Sequence, residues 1–254
     1  KAHREAMPEG ISEALPYIDK LLEAMNIPKL YRDGFEADDV IGTLAKKAEQ
    51  EGFQVYMMTS DKDFAQLVSE NIFMYRPGNK WQPTTVWGIQ EVLEKFEIQK
   101  VEQMIDFLGM MGDTADNIPG IPGVGKKTAQ KFIAEFGSME GLFENTHKLK
   151  GKMKEKVESA KEIGLQSKQL VTIITDVPIN FYEKDLRVEK KDEDAIKSLF
   201  EELEFRTLLP RVLASKSNNQ EKNVVSKKEE KAEITTSIQI DLFTTVESQI
   251  KDSK

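Results

Sequence analysis

Gln54-Val-Tyr-Met-Met-Thr-Ser-Asp-Lys-Asp63 is an apolar run that ends abruptly in two acids around one base. Residues 54–59 read as a strand, and the acids that follow fall where a parallel sheet presents its ligand site, at the carboxyl edge. Working outward, Ile18, Leu21, Leu22 and Met25 have helical spacing, Lys29-Leu-Tyr31 reads as extended, and a helix is predicted from about Ala37 to Gln50. A third strand is expected at Asn71-Ile-Phe-Met-Tyr75. Helix, strand, helix, strand in that order predicts an α/β fold with a parallel sheet and helical crossovers.

From Gly88 onward the pattern is helical. Val101, Met104, Ile105 and Leu108 form one apolar face, the chain breaks in a loop rich in Gly and Pro, and a second helix starts at Lys126 with Ala129, Phe132, Ile133 and Phe136 on one face. The predicted arrangement is a helix, hairpin and helix. Further helices are expected at 152–170 and 192–204, with Leu208, Leu209, Val212 and Leu213 closing the folded part. After Ala214 the composition turns to Ser, Asn, Lys and Glu, which cannot bury enough apolar surface to fold alone. The expected division is an α/β portion at 1–98, a helix-hairpin-helix region at 99–214, and a flexible linker at 215–254 toward a further domain.

Composition narrows the chemistry. The 254 residues include no Cys and two distant His, His3 and His147, so thiolate and His-rich metal sites are excluded. There is no apolar run near the roughly 20 residues of a membrane span and no secretory leader pattern in Lys1-Ala-His-Arg4, so a cytoplasmic protein is expected. A first residue that is Lys rather than Met suggests a chain that begins inside a longer protein. The net charge of −8 argues mildly against non-specific nucleic-acid binding. However, seven acids fall in three tight clusters: Glu36-Ala-Asp38-Asp39, Asp61-Lys-Asp63 and Asp113-Thr-Ala-Asp116.

Each cluster alone reads as a helix cap or a solvated turn. Seven carboxylates brought into one cleft would repel strongly unless bound cations or partner lysines relieve them. Oxygen ligands without Cys or His favour Mg²⁺ or Mn²⁺, and such a set suits phosphodiester hydrolysis. Two ions about 3.5–4 Å apart need both shared and separate ligands, hence clusters rather than single acids.

Ile121-Pro-Gly-Val-Gly-Lys-Lys-Thr-Ala129 has two readings. A phosphate-binding P-loop matches Gly120, Gly125 and Lys126, but Lys127 stands where that loop needs Ser or Thr. The other is a helix-hairpin-helix motif, in which Gly120, Gly123, Val124 and Gly125 shape a tight turn while Lys126, Lys127 and Thr128 begin a helix whose amides face a phosphate. Such contacts position DNA without reading bases.

Gly34-Phe-Glu-Ala-Asp-Asp-Val-Ile-Gly42, Thr59-Ser-Asp-Lys-Asp63, the run Met111 to Ala129 and Leu203-Glu-Phe-Arg206 resemble, in order, successive motifs of the 5′ nuclease domain of bacterial DNA polymerase I. The resemblance covers about residues 1–213. It implies a PIN-like α/β core followed by the helix-hairpin-helix region. It also implies a flap endonuclease and 5′→3′ exonuclease that removes RNA primers and 5′ flaps in replication and repair. By the same resemblance Glu36, Asp38, Asp39, Asp61, Asp63, Asp113 and Asp116 are metal-site acids for two or more Mg²⁺ or Mn²⁺ ions. The hairpin is a duplex-binding motif that can hold K⁺, and Lys1 and Arg4 belong to a basic segment contacting the scissile phosphate. The family has earlier aspartates upstream of this stretch, so weak or absent cleavage by the chain alone is expected. A non-catalytic DNA-binding module of the same fold is the alternative, and an NTPase a distant third. Gln239-Ile-Asp-Leu-Phe243 resembles the short peptide that binds the sliding clamp, through Gln239, Leu242 and Phe243, and reads equally as the first strand of a following domain. A monomer is expected.

Overall fold

In the computed structural model, which describes residues 7–213, helix α1 (Glu9–Ala24) precedes α2 (Ala37–Gln50), strand β1 (Val55–Met58), a 3₁₀ turn at Lys62–Leu67, β2 (Ile72–Arg76) and β3 (Thr85–Trp87). The chain continues through α3 (Ile89–Phe96), α4 (Gln103–Met111), α5 (Lys126–Phe136), α6 (Met139–Glu144), α7 (Gly151–Ser159), α8 (Lys161–Val171), α9 (Glu193–Glu202) and α10 (Leu208–Leu213). Residues 7–209 fall in one compact unit. Lys1, Arg4, Gln239, Leu242 and Phe243 lie outside the described residues, as does the expected linker.

The sheet has the order β1-β2-β3. β1 and β2 pair in parallel from Val55 opposite Ile72 to Met58 opposite Tyr75, joined by the 3₁₀ turn at Lys62–Leu67 where a helical crossover is expected. β3 is an addition to the expected topology: it runs antiparallel to β2, with Met74 opposite Trp87. Three residues after a Pro are too short a run to show period-two alternation, which is why the sequence hides it. The segment 29–31 is a correction in the other direction. Among the described residues it joins no ladder and is coil; an extended pattern becomes a strand only where a neighbouring strand takes up its backbone groups. The helix expected over 152–170 is two helices, broken at Ala160, whose amide bonds back to Lys156 and Val157 while its side chain is buried.

The packing centre is α4. Gln103, Met104, Asp106, Phe107, Leu108, Gly109 and Met110 are all buried, so this helix is covered on nearly every side. Its polar side chains are satisfied. Asp106 accepts from the Met139 amide at 3.0 Å and pairs with Lys168 at 2.6 Å, and Gln103 bridges the Gln99 amide and the Gly137 carbonyl. A Cβ at Gly109 would stand 2.7 Å from the Lys168 Cα, so α4 and α8 touch backbone to backbone. One apolar core runs from Ala45 and Met57 through Phe96, Ile98 and Val101 to Ile133, Leu142 and Ile173. Among the described residues no helix is long and apolar enough to cross a membrane.

Because the obstacle at Gly109 is main chain rather than a flexible side chain, Gly109→Ala should destabilise the fold by about 1–3 kcal/mol, the usual range for overpacking. Urea unfolding followed by circular dichroism measures this; an unchanged midpoint would mean that α4 and α8 can part freely.

Candidate metal and nucleic-acid site

Three elements bring acids to one cleft. α2 contributes Glu36, Asp38 and Asp39 at its N-terminal end, the segment after β1 contributes Asp63, and the loop after α4 contributes Asp116. These five line a cavity of about 600 Å³, whose remaining wall is Ile118 and the stretch Gln169–Ile174. Asp61 and Asp113 stand beside it. Asp61 accepts from the Asp63 amide at 3.1 Å, and Asp113 is joined to Asp63 through Lys62, whose ammonium lies 2.7 Å from Asp113 Oδ2 and 3.4 Å from Asp63 Oδ1. Only the middle cluster follows a strand; Glu36, Asp38 and Asp39 open α2, a helix that no described strand feeds.

The acids are not equivalent. Asp39 is committed to the backbone: Oδ2 accepts from the Glu36 amide at 3.2 Å as a reciprocal cap, and Oδ1 from the Ile174 amide at 2.9 Å. Asp113 closes a turn by accepting from Ala115 at 2.8 Å with Oδ1. Its hydrogen bond from Lys62 holds its carboxyl below the usual range. Burial pushes Asp63 upward, reinforced by the charges of Asp61 and Asp113 and only partly countered by Lys62. Burial is the largest influence on Asp63, whereas the Lys62 hydrogen bond is the largest on Asp113. The contact to Asp113 is a true hydrogen bond, whereas the 3.4 Å approach to Asp63 lacks that geometry and leaves Asp63 Oδ1 buried with no hydrogen-bond donor. Burial alone would lower the Lys62 ammonium, but Asp113 and Asp63 outweigh it and raise it. No three of the described acids stand close enough together to enclose a single ion.

The hairpin lies between α4 and α5. Gly112 and Gly120 pass so closely that a Cβ on Gly120 would meet the Gly112 nitrogen at 2.6 Å, and Gly112, Gly120 and Gly123 all have positive φ. Gly120 donates to Ser167 Oγ at 3.0 Å and Val124 to the Ile121 carbonyl at 2.9 Å, and both residues are buried, so they shape the turn from inside. Gly123, Gly125, Lys126 and Lys127 are exposed and Thr128 is half-buried. Gly125 caps α5 without a side chain, and its carbonyl accepts from the Thr128 and Ala129 amides at 3.0 and 2.9 Å, beside the two exposed lysines. The P-loop reading falls: the hairpin follows a helix, not a strand.

Residues 1–97 match the 5'-3' exonuclease, N-terminal resolvase-like domain, and residues 99–194 match the 5'-3' exonuclease, C-terminal SAM fold. This chain belongs to the 5′–3′ exonuclease family. By that membership it is a nuclease, a phosphodiester hydrolase. This exonuclease is 34% identical over 214 residues to the DNA polymerase I of Caldicellulosiruptor bescii, a match covering 84% of the chain and 25% of the relative. It therefore spans about a quarter of the length of the DNA polymerase I relatives it matches. In structure it is similar to T5 5′-exonuclease with bound divalent metal ions, with a TM-score of 0.59, 21% identity and coverage of 82% of this chain and 72% of that one. It is similar as well to the bacteriophage T5 flap endonuclease in a pseudo-enzyme–product complex with DNA and metal ions, with a TM-score of 0.57, 20% identity and coverage of 83% and 73%. At those identities the likeness establishes the fold.

Several residues of the exonuclease cleft carry no signal in the sequence. Gln66 donates through Nε2 to the carbonyls of Asp63 at 3.0 Å and Val171 at 2.9 Å, and accepts from the Ile173 amide at 3.0 Å. Thr43 Oγ1 accepts from the Val177 amide at 3.1 Å. Together with Asp39 they tie the segment 171–177 across α2 and the 3₁₀ turn, making the cleft wall. Gln66 sits one helical step from Asp63 in a stretch that reads as ordinary core.

Gln66→Ala leaves the Val171 carbonyl and the Ile173 amide without their partner and should cost about 1–3 kcal/mol. Amide hydrogen exchange at Ile173 should quicken in the variant, and unchanged protection would show that the clamp is dispensable. A second test uses pH. A carboxyl whose folded pKa is depressed adds stability above its unfolded value that is lost as pH falls through the folded one. In chelator-containing buffer, the stability difference between the unmodified protein and Asp113→Asn should thus be present at pH 7 and shrink as the pH falls below about 4, the ordinary Asp range.

Proposed function

We propose that the chain is the 5′ nuclease portion of a DNA polymerase I, a metal-dependent and structure-specific hydrolase of DNA carrying a 5′ flap, nick or RNA primer. The observation that carries this reading is the cavity lined by Glu36, Asp38, Asp39, Asp63 and Asp116, contributed by three separate elements of a 5′–3′ exonuclease. The donors suit a hard divalent cation such as Mg²⁺ or Mn²⁺: they are oxygens only, and Asp63 Oδ1 is buried without a hydrogen-bond donor. Glu36, Asp38, Asp63 and Asp116, with Asp61 and Asp113 beside them, would hold two or more such ions, while Asp39 serves mainly to fix α2 to the cleft wall. A bound divalent ion supplies an acidified water as nucleophile and neutralises charge at the scissile phosphate.

The protein's own groups then have distinct tasks. The start of α5, where Gly125, Lys126 and Lys127 are exposed, grips the DNA backbone and sets its register relative to the acids, and K⁺ at the hairpin would strengthen that grip. Lys1 and Arg4 are assigned to the scissile phosphate. The chain is organised as an α/β portion at 1–98, a duplex-gripping portion at 99–214 and a linker at 215–254, whose Gln239, Leu242 and Phe243 are assigned to the sliding clamp. It acts as a monomer in the cytoplasm.

A second reading, a DNA-binding module without catalysis, is favoured by one observation: no three described acids approach closely enough to enclose an ion. A labelled 5′-flap substrate separates the two. The nuclease reading expects slow strand cleavage in Mn²⁺ that a chelator abolishes, and a loss on the order of a hundredfold in Asp116→Ala, as removal of a group stabilising the transition state causes. Flap binding with neither Mn²⁺ binding in calorimetry nor metal-dependent cleavage would establish the second reading instead.

A further inference from the structure

Lys62 is the cation through which two of the three acid clusters meet. Its ammonium stands 2.7 Å from Asp113 Oδ2 and 3.4 Å from Asp63 Oδ1, bridging the turn after β1 and the loop after α4, elements 50 residues apart. Its side chain is about two-fifths exposed, whereas those of Asp63 and Asp113 are about one-fifth exposed, so the pairing is inward-facing and less screened than a surface ion pair. Two half-buried carboxylates from separate elements repel each other, and this contact offsets the repulsion. A lysine is well suited to such a task because its charge sits on a flexible four-carbon stem that can swing away without moving the backbone.

A divalent ion shared by Asp63 and Asp113 would need the same oxygens. Asp113 Oδ1 is already engaged by the Ala115 amide, so Oδ2, the oxygen that Lys62 holds, is the one left for a ligand. On the Asp63 side the buried Oδ1, which has no hydrogen-bond donor, is the atom that faces the ammonium. Cation and ammonium therefore compete for one pair of atoms.

We propose that Lys62 is a built-in counter-ion of the acidic cleft, holding the Asp63 and Asp113 elements together until a divalent metal replaces it, so that metal binding and Lys62 pairing at this gap exclude each other. This rests on the metal-dependent reading above. It adds that the gap between Asp63 and Asp113 is bridged by an internal cation and that metal affinity is set partly by the work of displacing it.

The test is Mn²⁺ titration by calorimetry and thermal melting, with the unmodified chain, Lys62→Met and Lys62→Arg. Removing a unit positive charge next to the ligands should tighten Mn²⁺ roughly tenfold after allowance for solvent screening. The metal-free melting temperature should fall, and the Mn²⁺-induced rise should grow. Lys62→Arg, which keeps the charge, should restore the metal-free melting temperature. Reductive methylation of the unmodified chain, read by peptide mass, covers the case in which Lys62→Met does not fold: Mg²⁺ should speed modification of Lys62 and leave Lys29, paired with the remote Asp19, unchanged. Mn²⁺ binding that is unaltered or weaker in Lys62→Met, or Lys62 methylation unchanged by Mg²⁺, overturns the counter-ion role while the metal reading stands. No Mn²⁺ binding to any of the three overturns both.

Discussion

The close approach of α4 and α8 governs everything downstream of it. Gly109 lets the α4 backbone lie against Lys168, and the same lysine then reaches Asp106 on α4 and Glu140 on α6, at 2.6 and 2.8 Å. Burial of Asp106 would be costly without that partner. With it, the helix that leads into Asp113 and the helix that leads into Val171 are fixed against each other. One supplies an acidic loop to the cleft and the other supplies the opposite wall, so a packing contact inside the helical region sets the width of a site at its margin.

From that contact the geometry passes outward by hydrogen bonds rather than by apolar packing. The segment after α8 is tied down by Gln66, Thr43 and Asp39, three residues on two elements that each carry or adjoin a cleft acid. The arrangement places the acids on short, well-anchored backbone and leaves the charge problem to be solved locally. The means differ from one acid to the next: backbone amides for Asp39 and Asp61, and a lysine for Asp63 and Asp113.

Much of this is written in local patterns. The helix over 37–50, the strands near 55–58 and 72–76 and the start of α5 at Lys126 follow from periodicity and from glycine placement, because each depends on a face and a boundary within a dozen residues. The three acid clusters are legible for the same reason. What escapes is whatever depends on a partner distant in sequence. Coil at 29–31 reflects a missing ladder, β3 is too brief to declare itself, and the break at Ala160 involves neither Gly nor Pro. Gln66 looks like any polar residue near a turn until the segment 107 residues further on returns to meet it. Gly120 and Val124 belong to the hairpin motif, yet their roles are internal, a distinction that burial makes and spacing does not.

The parallel pairing of β1 and β2 has one more effect. Both strands finish on the same margin of the sheet, so the turn that follows Arg76 leaves from beside the acids, and Arg76 itself donates to the Ser60 carbonyl at 3.3 Å. That turn carries Trp81, 84% exposed, while the other tryptophan, Trp87, is half-buried with the Arg76 guanidinium 4.1 Å from its ring centre. The two indoles are therefore spectroscopically unequal. One reports solvent quenching in the turn between β2 and β3 and the other reports the integrity of the sheet, a pair of intrinsic fluorophores that needs no added dye.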